Sequence, residues 1–125
     1  MKPIVGIVIL LLGIGCQNFW YDLALDTRRR IFKLSPGMSK QEVILIMGTD
    51  TPSLDVSKPH RSSMFNKNGD TIEIFFYYTE YIIGKSGDEE FTPLVFINGK
   101  LDSWGWESWI EKAKRYDINV NYKVN

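Results

Sequence analysis

Two Asn-Gly dipeptides, Asn68-Gly69 and Asn98-Gly99, constrain this chain more than any other feature in it. A two-residue hairpin turn of type I′ needs positive φ at both central positions, and Asn followed by Gly meets that need best. Each turn fixes a register outward from itself. Around the first, Lys67 pairs with Asp70, Asn66 with Thr71 and Phe65 with Ile72, so that Ser63, Phe65, Ile72, Ile74, Phe76 and Tyr78 share a face. Around the second, Ile97 pairs with Lys100 and Phe96 with Leu101, which brings Leu94, Phe96, Leu101 and Ser103 together. Two independent turns each place large apolar pairs on one face, as a half-buried antiparallel sheet requires. The long strand from Thr71 to about Ile82 carries aromatics on both faces. It is therefore central, or covered on its second side.

Helical patterns flank these hairpins. Leu23, Thr27, Ile31 and Leu34 recur at spacings of four, four and three, which predicts a helix from Asp22 to Leu34. Pro36-Gly37 ends it. A second helix opens on the capping-box pair Ser39 and Glu42. It runs through five consecutive apolar residues, Val43 to Met47, and Gly48 is placed to close it in the left-handed conformation. Residues 49–61 read as a loop. After the last strand, Trp106, Trp109, Ile110, Ala113 and Tyr116 form an amphipathic stripe, with Glu111 and Arg115 outside it. The expected fold is α+β and two-layered: a short helical pair packed on a three- to four-stranded antiparallel sheet, plus a C-terminal helix.

The N-terminus reads as an address. Lys2 precedes a stretch, residues 4–15, that carries no charge. It is shorter than the ~18 apolar residues a spanning helix needs and has the form of a signal peptide. Gly15 stands directly before Cys16, the chain's single cysteine. Together they resemble the cleavage site of a bacterial lipoprotein, although Gly13 stands where leucine is usual. The expectation is cleavage between Gly15 and Cys16, with diacylglycerol and an N-acyl chain such as palmitate on the Cys16 sulfur and amine. Each buried CH₂ of such chains adds ~0.8 kcal/mol, so two or three hold a protein on a membrane. By the rule for such lipoproteins, Gln17 after the cysteine implies the outer membrane, with the domain facing the periplasm. The chain then divides into a signal peptide (1–15), an anchor, tether and first helix (16–33), a domain core (34–105), and a C-terminal helix and tail (106–125). Arg28-Arg29-Arg30 next to the anchor could attract anionic headgroups, but three charges make only a short patch, and a solvated helix face is the expectation.

Chemistry is sparse. Fifteen basic and fifteen acidic residues leave no net charge, which argues against a nucleic-acid partner. His60 is the only histidine and sits in a Ser-rich loop without an orienting third group. Asp88-Glu89-Glu90 lacks the spaced ligands of a cation loop. Gly84-Lys85-Ser86 lacks the upstream glycine of a phosphate-binding loop, since Thr79 stands in its place. No catalytic residue, metal ligand, cofactor or small-molecule substrate is expected. The aromatic residues are the most distinctive feature. Trp106 and Trp109 read as core. Trp104, on the strand face away from Leu94 and Phe96, together with Phe75 and Tyr77 on the second face of the long strand, are the candidate partner-binding residues.

These pieces line up with a known pattern. Gly37-Met38-Ser39, Gln41-Glu42-Val43 and Met47-Gly48 match the signature of the second helix in the SmpA/OmlA (BamE-like) family of outer-membrane lipoproteins. The meander that follows carries Phe75-Phe76-Tyr77-Tyr78 and Thr92 to Leu101. The chain resembles that family over residues 34–105. The resemblance implies a non-catalytic, membrane-anchored accessory that binds envelope proteins, with the β-barrel assembly machinery as the partner. The same architecture is also similar to secreted β-lactamase inhibitors, which leaves a periplasmic inhibitor or ligand-binding module as the alternative.

Overall fold

The computed structural model describes residues 20–48, 61–82 and 87–121. The expected cleavage and lipidation residues Gly15 and Cys16, the Gly84-Lys85-Ser86 segment, and His60 with most of the segment read as its loop lie outside them. Helix α1 covers residues 20–31 and α2 covers Lys40–Met47. Four strands follow, β1 (Arg61–Lys67), β2 (Asp70–Tyr78), β3 (Phe91–Ile97) and β4 (Lys100–Trp104), and then α3 (Trp106–Arg115). The strands form one antiparallel meander in the order β1-β2-β3-β4. The α+β fold, the helical pair and the C-terminal helix are as the sequence implies, and no described helix is long and apolar enough to cross a membrane.

Both Asn-Gly turns form as expected, with φ of 53° and 82° in the first and 52° and 81° in the second. The first register holds along its whole length, from Lys67↔Asp70 to Arg61↔Phe76. The two turns lie at the same end of the sheet and are tied together. Asn98 donates from Nδ2 to Asp70 at 2.9 Å and accepts from the Thr71 N–H at 3.0 Å. Tyr116, just past α3, donates to the other Asp70 oxygen at 2.7 Å. These bonds hold the Asp70 carboxyl below its usual range, Asn98 contributing most, and the same contact pushes the Tyr116 phenol up.

The sheet is buried on both faces, which explains the two-sided aromatics of β2. On one face Phe75, Tyr77, Leu94, Phe96 and Leu101 meet Ile31, Val43 and Met47 of the helical pair and Leu34 of the link between them. On the other, Ile72, Ile74, Phe76 and Val95 meet Trp109 and Ala113 of α3 and Ile118 beyond it. The C-terminal helix thus adds a third layer, opposite the other two helices. Alternation along β2 feeds the two cores in turn, because successive side chains point to opposite faces.

The segment before α2 closes one edge of the sheet. The Gly37 N–H donates to the Leu101 carbonyl at 2.7 Å, and the Leu101 N–H donates to the Met38 carbonyl at 2.8 Å. Ser39 bridges Lys100, and its Oγ accepts from the Glu42 N–H at 3.1 Å, the expected N-cap. Ser39→Ala should therefore cost about 1 kcal/mol, read as a lower urea midpoint at unchanged m-value.

Gly48 departs from expectation. Its φ is −59°, so α2 does not end in a left-handed residue. Glycine is favoured there by crowding, since a Cβ would sit 3.1 Å from the Ile44 carbonyl oxygen and 3.3 Å from that of Leu45. The free carbonyls at this end are met by Arg30, whose Nη1 donates to the Gly48 carbonyl and, at 3.4 Å, to that of Ile46. A cation at a helix C-terminus is also favoured by the helix dipole.

Candidate protein-binding groove

Arg61, which the sequence assigns to a loop, is the first residue of β1. Its guanidinium lies 4.1 Å from the centroid of the Phe76 ring and donates to Asp88 Oδ1 at 2.5 Å. Phe76 in turn stacks at 5.6 Å and 37° on Trp106, whose indole N–H is shared between the carbonyls of Asp88 (3.0 Å) and Phe91 (2.8 Å). Phe65 and Trp109 continue the aromatic wall at 6.2 Å. Between this wall and the segment 119–121 beyond α3 lies an open groove of about 200 Å³, with Arg61, Ser63 and Phe65 on its β1 side. Small-molecule sites usually hold ~300–1,000 Å³. This groove is smaller, and its size suits one amino-acid side chain.

The residues expected to meet a partner lie elsewhere. Tyr77 and Phe75 are buried beneath the helical pair, with Phe75 against Phe96 at 5.0 Å. Lys40 covers the outer side, 5.7 Å from the Phe75 centroid and 2.7 Å from Glu73. Trp104 also belongs to this core. The second register holds at Ile97↔Lys100 and Phe96↔Leu101 but then shifts, so that Val95 pairs with Ser103 and Leu94 with Trp104. Asp102 is the extra residue, and its carboxylate is held by Lys112 of α3 at 3.1 Å. One inserted residue reverses every later side chain. Trp104 therefore faces Leu94 and Phe96, half-buried, and not the opposite side. Phe75 and Tyr77 are not presented to a partner in this arrangement, and Trp104 is half-covered by the same core.

The arginine run is likewise not a solvated face. Arg28 donates to the Thr79 carbonyl at 3.1 Å and to Glu80 at 2.7 Å, which ties α1 to the end of β2. Arg30 caps α2 and pairs with Asp26 at 3.0 Å. Arg29 alone of the three is exposed. Asp88–Glu90 forms a single 3₁₀ turn, not an open acidic loop. Among the described residues no three His, Cys, Asp or Glu side chains are grouped to hold a metal ion.

A family model described as "Protein of unknown function (DUF3192)" matches residues 5–111. The chain belongs to that family. The DUF3192 match takes in the charge-free stretch, Cys16, both helices of the pair, the whole sheet and the first half of α3. The 119–121 wall of the groove lies beyond it. Comparison with curated proteins and with solved structures gave no match.

Proposed function

We propose that this protein is a non-catalytic lipoprotein, anchored through Cys16 in the outer membrane and facing the periplasm, whose folded domain binds envelope proteins. The reading is that of a BamE-like accessory to β-barrel assembly. The observation that carries it is the junction Gly15-Cys16 at the end of a charge-free stretch, in a chain with no other cysteine. A lone thiol is otherwise out of place in an oxidising compartment. Residue 20, four positions after Cys16, is already helical, which would keep the domain close to a lipid anchor at Cys16. The groove under Arg61, sized for a side chain, suits protein binding better than small-molecule binding.

Cys16→Ala tests the anchor. The variant is expected to leave the outer-membrane fraction while the wild type stays in it, and an unchanged distribution would remove the lipoprotein reading. Cross-linking of the wild type in its own envelope tests the partner. Recovery of barrel-assembly components is expected, and their consistent absence would overturn that assignment.

A further inference from the structure

One edge of the sheet is closed, and among the described residues the other is open. Residues 37–40 cover β4, whereas among the described residues no strand pairs with the outer edge of β1. Lys67 and Asp70 close a two-residue turn and so exchange both hydrogen bonds. By alternation Arg61, Ser63 and Phe65 also bond inward to β2, and the N–H and C=O groups of Ser62, Met64 and Asn66 point outward. Apolar surface flanks that edge on both sides. Met64 is 56% exposed on the helical-pair side, and the aromatic groove opens beside Ser63 and Phe65 on the other.

We infer that this edge and groove form a docking site for an extended acidic segment of another protein, which adds to β1 as a fifth strand and seats one apolar side chain in the groove. The charge of β1 selects the occupant. Its sequence, Arg-Ser-Ser-Met-Phe-Asn-Lys, has a cation at each end and no acid; Arg61 is already engaged by Asp88, so Lys67, which has no ion-pair partner among the described residues, carries the available charge. Antiparallel pairing with a second copy about Met64 would set Arg61 against Lys67 twice, and parallel pairing would set like against like. Like charges directly opposite are destabilising. Basic residues are a usual guard against edge-to-edge association. Here the guard repels the chain's own edge and leaves an acidic strand welcome. In strand addition the backbone supplies affinity and side-chain pockets supply selectivity, the two elements found here side by side.

The inference deepens the protein-binding reading by giving the partner's chemistry, and it does not depend on the anchor. Its test uses the full-length chain in detergent and a labelled, end-blocked peptide alternating aspartate with valine around one phenylalanine. Saturable binding is expected by fluorescence anisotropy, weakened at least about tenfold when lysine replaces the aspartates and by about as much in Met64→Pro. Proline at 64 removes an outward N–H and spares the β1–β2 ladder. On saturation of the wild type, amide exchange at Ser62, Met64 and Asn66 should slow, a readout that stands whether or not the proline variant folds. Equal binding of the acidic and basic peptides, unchanged exchange at those three amides, or a self-associated dimer that excludes the peptide would each overturn it. If the peptide fails while Cys16 proves lipidated, this surface is lost and the anchor stands.

Discussion

Trp109→Ala is expected to lower stability by about 3–5 kcal/mol, a large part of the ~5–15 kcal/mol that holds a domain together. Trp109 is 3% exposed at the centre of the face that α3 covers, beside Ala113, Ile74 and Phe76. Its loss removes the main contact of the third layer and leaves a cavity that one turn of a ten-residue helix cannot refill. Urea unfolding followed by circular dichroism reads the effect. Leu45→Ala provides the contrast. That leucine is also in a helix, but it is 80% exposed, and its truncation should change stability by no more than about 0.5 kcal/mol. Equal losses at the two positions would contradict the arrangement in which α3 forms a layer of its own.

Tyr77→Phe is expected to act in the opposite direction. Tyr77 is 1% exposed, and among the described residues its hydroxyl has no hydrogen-bond partner. Removing an unsatisfied buried polar group of this kind recovers about 1–3 kcal/mol, and phenylalanine leaves no void. The same burial pushes the phenol up to about 12. In the unfolded chain a tyrosine titrates near 10. Between those values the unfolded chain gives up a proton that the folded chain keeps. The associated stability is therefore fully present below about pH 10 and is lost as pH rises toward 12. At about 1.4 kcal/mol per pH unit, the loss is on the order of 2–3 kcal/mol at the alkaline end. Tyr78 is pushed up to about 12 as well, first by burial and then by Glu90 and Tyr81. Tyr77→Phe should accordingly be more stable at neutral pH and should show a shallower, though not flat, alkaline decline. A variant weaker than the wild type at pH 7 would mean that the hydroxyl has a partner.

The parts of the fold legible in the sequence are those set by local chemistry. Asn-Gly admits one kind of turn, so the β1–β2 register follows to Arg61, and Ser39 with Glu42 announces the start of α2. The parts that were hidden depend on residues far apart in the chain. Nothing in Lys-Leu-Asp-Ser-Trp marks Asp102 as the inserted residue, because what holds it outward is Lys112, on the next element. The arginines at 28 and 30 read as a charged face until Thr79, Glu80 and Gly48 are brought beside them. Gly48 carries a familiar helix-ending signal for a different reason, the closeness of the carbonyls behind it.

The groove has little trace in the sequence for a related reason. Assigning residues 49–61 to a loop placed Arg61 outside the first hairpin, so its meeting with Phe76 and Asp88 had no sequence signal of its own. One clue was available: the first register extends without a break to Arg61↔Phe76. Phe75, Tyr77 and Trp104 read from the sequence as a partner-binding face, but burial of both faces of the sheet takes Phe75 and Tyr77 off the surface and half-covers Trp104.

The proposed function rests above all on the chemistry of Cys16, and the intact mass of the protein extracted from its own membranes tests it most directly. The expected mass is that of residues 16–125 plus a diacylglycerol and one further acyl chain, with the added mass absent from Cys16→Ala. A wild-type mass equal to that of the bare chain, cleaved or uncleaved, would contradict it.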